Sequence, residues 1–409
     1  MKRILIVGGG ASGMMAAIMA AKNGADVTVY EKNERVGKKI LATGNGKCNL
    51  TNLSFDISMY NSDDLNKLKY YFSLFDEKET IRTFSEFGLL LKDKNGYIYP
   101  NCEQASVVLD VLRNMLDLMG IRVVTNAGVK DIKALKDGFE VISVNGKELF
   151  DAVIIATGSN AGLSKKDLSF EGTDGYTLAG RLGHKINPVL PALVQLECEE
   201  TFFPAIAGVR CECNITLYNE HKAVKREFGE LMITDYGISG IPVFQMSSEV
   251  SRRLKNGEKL SCVIDFLPEF DEDTFEEFMS NRIRQYIGME MEKFFLGLIN
   301  KKLCMLIIKE NGFKANTVID NDNMSQVYKC CMNMKQFVVT VKKTRDISGA
   351  QVCTGGVSLY DLDEKLQSKR IKNLYFCGEV ADVDGRCGGY NLQWAWTSGA
   401  IAGVYAAKE

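Results

Sequence analysis

Three observations predict an α/β fold: a Rossmann-like domain, built from both ends of the chain, that carries an inserted β-barrel-like and helical domain. First, an apolar strand, Ile4 to Val7, runs into Gly8-x-Gly10-x-x-Gly13, a helix from Ala11 to Asn23 and a second strand, Asp26 to Tyr30. That is a βαβ unit with glycines at its first turn. Second, the pattern changes after about His184, to alternating segments and then a helical run from Asp271 to Asn311. Third, a short apolar strand, Leu374 to Cys377, stops on Gly378-Glu379, passes through a Gly-rich turn and enters a helix from Asn391 to about Ala407.

The elements between follow in order. Lys32 to Asn52 reads as a long polar loop, and helices lie within Leu65 to Phe87. Leu89 to Tyr99 reads as a hairpin around Asn95-Gly96. Glu103 to Met119 is a helix, Ile121 to Thr125 a strand, and Val129 to Leu149 a small meander. Ala152 to Ala156 is a buried strand that stops at Thr157-Gly158. Pro188 and Pro191 mark a boundary. Cys211 to Leu217, Glu227 to Ile233 and Ser261 to Leu267 read as antiparallel strands. The Met and Phe residues between Asp271 and Asn311 recur at helix spacing, which is core packing. The domains expected are residues 1–186 with 345–409, a β-rich insertion of 187–268 with 318–344, and a helical subdomain of 269–317.

Composition bounds the function. The 409 residues are 46% hydrophobic and 25% charged, ordinary for a globular protein of two or three domains. A formal charge of −2, from 50 basic and 52 acidic residues, gives no electrostatic reason for a nucleic-acid or anionic-membrane partner. Twelve cysteines form no Cys-x-x-Cys pair and there are two histidines, so no metal site is expected and the thiols read as reduced and buried, in a cytoplasmic protein. The apolar run at the N-terminus is cut by Gly8 to Gly10, against a signal peptide, and no stretch is apolar for long enough to span a membrane.

The glycine motif has a physical use. Gly8 allows a tight turn, Gly10 lets backbone approach a pyrophosphate, and Gly13 lets helix pack on strand. The helix start, with Ala11 and Ser12, offers N–H groups and partial positive charge to phosphate. Glu31 ends the next strand, 18 positions past Gly13, where a carboxylate binds a ribose diol; Lys32 follows it. The motif serves FAD or NAD equally. Three features favour FAD: there is no second Gly-x-Gly-x-x-Gly, a strand ends at Thr157-Gly158, and Gly378-Glu379 precedes Gly388-Gly389 and the helix at Asn391. Glu379 can accept from ribityl hydroxyls, Gly389 allows close backbone approach, and the helix dipole suits the negative charge of reduced flavin.

The segments Val7 to Gly13, Gly37 to Asn52, Gly229 to Pro242, Ala350 to Leu359 and Leu374 to Gly403 together resemble the bacterial BaiN/RdsA-type flavoproteins, which include aminoacetone oxidases and a bile-acid Δ4,6-reductase. The resemblance implies a two-dinucleotide-type FAD domain split by the insertion. It implies Glu31 as ribose ligand and backbone contact from Val129. It also implies that the 37–52 loop, with Lys38, Lys39 and Asn49, runs along the flavin, and that Glu379, Asn391 and Leu392 reach the ribityl chain and ring. One departure is Asp235, where the family often has His.

The expected function is therefore an FAD-dependent oxidoreductase, foremost an NAD(P)H-linked reductase of an apolar, enone-type small molecule of bile-acid or steroid kind. An oxygen-using amine or aminoacetone-type oxidase and a non-catalytic flavoprotein module are the alternatives. No catalytic residue is assigned; Asp235, Tyr236, Lys47 and Tyr390 are the available proton donors or binders, and Cys48, Cys377 and Cys387 read as bystanders.

Overall fold

The computed structural model describes residues 1–162 and 172–408. They form two compact units, Met1–Leu190 with Val352–Glu409, and Pro191–Gln351.

The first unit is built on a five-stranded parallel sheet in the order Leu374–Phe376, Ala152–Ile155, Arg3–Val7, Asp26–Tyr30, Arg122–Val124. Ile4 to Val7 and Ala152 to Ile155 are continuous apolar runs because both faces of the sheet are covered; Ile4 to Ile6 and Val153 to Ile155 have no exposure. The strand from the far end of the chain pairs with Ala152–Ile155, Val153 opposite Leu374, so both ends of the sequence share one sheet. The first helix, Ala11–Lys22, packs on the last, Tyr390–Lys408. Small residues permit the approach: a Cβ on Gly399 would lie 2.5 Å from the Ser12 carbonyl oxygen, and one on Gly403 2.3 Å from that of Ala16.

Smaller sheets surround this layer. Val129–Leu135, Gly138–Ser143 and Gly146–Phe150 form the meander. Thr51–Asn52, Tyr97–Pro100 and Leu91–Lys94 form a three-stranded sheet in that order, its hairpin turning at Asn95 and Gly96 with positive φ at both, as a two-residue loop demands. Strand Ile186–Ala192, which holds Pro188 and Pro191, pairs with Val352–Val357 in a two-stranded ladder that leaves an edge for residues without N–H.

The second unit is a closed barrel of six strands with helices around it. Along Arg210–Asn219 the buried residues are Cys213, Ile215 and Leu217, the period of two expected for a half-buried strand. Helix Glu272–Gln285 buries Phe275, Met279 and Ile283, one turn apart, so the Met and Phe stripe is core; the Asp271 side chain caps it.

The structure departs from the sequence expectation at several elements. Helices Gly175–Arg181 and Ile241–Lys255 were not expected, and the polar loop contains a kinked 3-10 segment, Lys38–Gly46. Among the described residues no helix is long and apolar enough to cross a membrane.

Candidate functional site

The site grows from the first turn. A Cβ on Gly8 would meet the Ala156 carbonyl oxygen at 2.6 Å, and one on Gly13 the Gly8 carbonyl oxygen at 1.9 Å. These two positions are set by internal packing. Gly10 is different: its backbone is extended, with φ −79° and ψ −168°, and a Cβ there would meet nothing within 4 Å. Open space therefore lies over Gly10, at the start of the helix that opens with Ala11, Ser12 and Gly13. Gly10 supplies no side-chain acceptor to that helix, whose first amides and dipole suit an anion.

Glu31 is buried beside this turn. One carboxylate oxygen accepts from the Gly9 amide at 2.8 Å, and the other from the Asn33 amide at 2.8 Å and its side chain at 2.5 Å. The residue thus braces the glycine turn as well as ending the strand. Its backbone carbonyl accepts from the Ala127 amide at 2.9 Å, two residues before Val129. The Val129 carbonyl is taken by the Thr173 amide at 2.7 Å. Lys32 is half-buried and Lys38 exposed.

The far end of the chain crosses the first helix here. Ser12 Oγ donates to the Cys377 carbonyl at 3.4 Å, and a Cβ on Gly378 would fall 2.3 Å from Ser12 Oγ. The last helix fixes that crossing: Ser398 Oγ accepts from the Gly378 amide at 2.8 Å and Trp394 Nε1 donates to its carbonyl at 3.0 Å. Glu379 comes next. Ser159 Oγ donates to one of its carboxylate oxygens at 3.0 Å, and Lys39 Nζ lies 3.1 Å from the other. Gly158, with φ +67°, would place a Cβ 3.9 Å from Glu379. The buried hydroxyl of Thr157 has no hydrogen-bond partner among the described residues. Gly8 to Gly13, Lys39, Thr157 to Ser159 and Gly378-Glu379 thus stand together.

Around Gly389 the backbone is equally close. A Cβ there would lie 2.9 Å from the Thr51 backbone and 3.0 Å from Asn49 Oδ1. Asn49 Oδ1 and Thr51 Oγ1 are buried, with no hydrogen-bond partner among the described residues. The Asn391 side chain is committed inward: it accepts from the Gly385 amide at 2.8 Å and donates to the Gly385 carbonyl at 2.7 Å. Leu392 is half-buried against the core. The helix begins one residue earlier than expected, at Tyr390.

Burial raises the nearby thiols, Cys48 and Cys387 to about 11 and Cys377 to about 12, so none is a thiolate at neutral pH. Tyr390 donates to the Ser54 carbonyl at 3.0 Å, and Lys47 pairs with Glu103 at 3.1 Å. Asp235 and Tyr236 lie in the second unit, on a turn where Asp235 is exposed and the Arg345 guanidinium sits 4.6 Å over the Tyr236 ring. Among the described residues no three His, Cys, Asp or Glu side chains group as a metal would require.

Sequence reasoning did not single out Ser159 and Trp394. Ser159 was the findable one, directly after the Thr-Gly strand end. Trp394 acts through the crossing of distant segments, by its bond to the Gly378 carbonyl.

The chain matches the model of the HI0933-like protein Rossmann domain over residues 2–405 and belongs to that family. It is 38% identical to a 3-dehydro-bile acid delta(4,6)-reductase of Clostridium scindens, over all of both chains. It is 30% identical to a ribosomal RNA dihydrouridine synthase of Haemophilus influenzae, over 99% of this chain and 98% of the relative. A ribosomal RNA dihydrouridine synthase of Escherichia coli is 28% identical, over 96% and 95%.

Proposed function

We propose that this member of the HI0933-like family is an FAD-dependent oxidoreductase that reduces a carbon–carbon double bond conjugated to a carbonyl, with NAD(P)H as electron source and a bile-acid or steroid type of enone as substrate. The observation that carries the reading is the meeting of the two chain ends: the Ser12–Gly378 crossing sets an uncapped helix start, an open space over Gly10 and the Glu379 carboxylate side by side. The buried, unpartnered polar atoms of Asn49, Thr51 and Thr157 suit a polar ligand.

FAD would supply hydride transfer there. This chain's residues would hold and orient it: the amides after Gly10 toward the pyrophosphate, Glu31 toward the ribose with Val129 and Lys32 near the adenine end, and Gly158, Lys38, Lys39, Gly378 and Glu379 along the middle. Asn49 and Gly389 would line the ring end, with the amides that open the last helix at Asn391 and Leu392 favouring negative charge. Asn391 would contribute through backbone, since its side chain holds Gly385.

The relatives' names share one chemistry. A 3-dehydro bile acid with Δ4,6 unsaturation is a conjugated ketone, and uridine carries a double bond conjugated to a ring carbonyl. RNA uridine is therefore a second reading, favoured by two relatives, whereas the near-neutral charge and the higher identity of the first favour a small molecule. Anaerobic stopped-flow tests the choice. Rapid flavin reduction by NADH or NADPH, then reoxidation by a conjugated steroid ketone, is the expected result. Absence of reduction by either nicotinamide contradicts it, and reoxidation by oxygen alone points to the oxidase alternative.

A further inference from the structure

The three-stranded sheet beside Gly389 carries a row of side chains across its strands. Directly opposed residues of an antiparallel ladder share a face. Asn52 faces Tyr97 and Tyr97 faces Lys94, while Tyr99 faces Lys92 two residues along, on the same side. At the near end Asn52 Nδ2 donates to the Gly388 carbonyl at 3.1 Å, and a Cβ on Gly388 would lie 3.0 Å from the Tyr97 ring. At the far end Lys92 and Lys94 reach Glu103 at 2.6 and 2.5 Å, and Lys47 joins them at 3.1 Å. Two strand spacings, about 10 Å, separate the ends.

Three ammonium groups on one carboxylate leave two positive charges in excess. Glu103 gathers them from a backbone with φ 53°, and hydrogen bonds from Lys92, Lys94 and Lys47 hold its carboxyl down at about 2, so it stays ionised at working pH. The lysine side chains remain 28 to 53% exposed, and Tyr97 is 42% exposed, so both are open to a ligand. The excess is compact, and the chain as a whole carries −2. That suits one or two negative charges on a small molecule better than the long phosphate track of a nucleic acid.

We propose that this row docks the acidic end of the substrate: Lys47, Lys92 and Lys94 take a carboxylate, Tyr97 and Tyr99 pack on a flat apolar body, and the reducible end lies toward Gly388. The inference rests on the reductase reading and adds to it the residues of this chain that receive the carboxylate of a flat enone.

The test compares a conjugated steroid ketone that carries a side-chain carboxylate with its methyl ester. The ratio of kcat/KM for acid over ester is measured in the FAD-loaded protein, and the Kd of the acid by isothermal titration. Wild type favours the acid. In Lys92→Gln/Lys94→Gln the preference falls and the acid Kd rises by about tenfold, about threefold for each exposed charge pair. Lys133→Gln/Lys147→Gln, on the meander where both lysines pair with Glu140, keeps the preference. An unchanged preference in the first variant overturns the inference. So does loss of binding to a ribosomal RNA fragment with the acid preference intact. Failure of wild type to reduce acid and ester alike overturns the reductase reading itself, whereas equal reduction of both overturns only the docking surface.

Discussion

The Lys39 ammonium lies 3.1 Å from the Glu379 carboxylate, joining the early loop to the turn that follows the last sheet strand. Ser159 donates to the other carboxylate oxygen, so three segments distant in sequence meet on one side chain. The pair is unequal: Lys39 is 45% exposed and Glu379 18%. An exposed ion pair contributes about 0.2–1 kcal/mol. Lys39→Ala therefore weakens FAD binding no more than about fivefold. Glu379→Ala, which also strands Ser159 Oγ, weakens it by tenfold or more, about 1.4 kcal/mol. Fluorescence titration of apoprotein with FAD measures both. Equal effects would mean that the ion pair, not the carboxylate, organises the turn.

Gly10 and Gly13 separate binding from folding. A Cβ on Gly13 collides with the Gly8 carbonyl, while one on Gly10 enters open space with backbone angles open to alanine. Gly13→Ala is expected to lose about 1–3 kcal/mol of stability, the usual cost of overpacking. Gly10→Ala keeps the apoprotein melting temperature and loses FAD affinity. Thermal melts with and without FAD check both; a Gly10→Ala protein that binds FAD normally removes the pyrophosphate from this turn.

His184 predicts a pH dependence. Its Nδ1 hydrogen bonds to the Ala179 carbonyl at 3.2 Å and its Nε2 to Ser368 Oγ at 2.7 Å, a pattern for the neutral ring in which Nδ1 carries the proton. Burial lowers its pKa. The unfolded chain, with a value near ~6.5, then binds more protons than the fold as pH falls below that value. This part of stability is full above ~6.5 and declines below it until the lower folded pKa is passed. Melting curves between pH 7.5 and 5 should fall more steeply for wild type than for His184→Gln. Parallel slopes would rule His184 out as the cause.

Thiol labelling checks the cysteine environment. None of the twelve forms a disulfide, and Cys102 is the exposed one. Cys48, Cys377 and Cys387 are pushed up to about 11 or 12 by burial. The folded protein at neutral pH should therefore label fastest at Cys102, and Cys102→Ser should remove that phase. Fast labelling at Cys48 or Cys387 would show a thiolate near the candidate site, contrary to the bystander reading.

Local signals carried much of the fold. The first strand, glycine turn and helix were legible because each is set by spacing within a dozen residues. The Asn95-Gly96 hairpin was legible because both residues tolerate positive φ. Helix Ile241–Lys255 was not: Pro242 reads as a breaker, yet at the first helical turn it has no hydrogen bond to lose, and the serines hide the buried stripe of Val243, Met246 and Val250. In the site, positions fixed by backbone shape were easier to anticipate than side-chain allegiances. Asn391 marked the helix start to within one residue, but its amide serves Gly385 across the turn, a partner set only when the turn closes. The Lys94–Tyr97–Asn52 row needed strand register, which composition does not encode.

The most direct test is to purify the protein, record its visible spectrum, release the cofactor by denaturation, and add NADPH and a conjugated steroid acid to the anaerobic holoenzyme. One FAD per chain, bleached by the nicotinamide and restored by the enone with saturation of its double bond, is the predicted result. A colourless protein that takes up no FAD, or a flavin that no nicotinamide reduces, would contradict it.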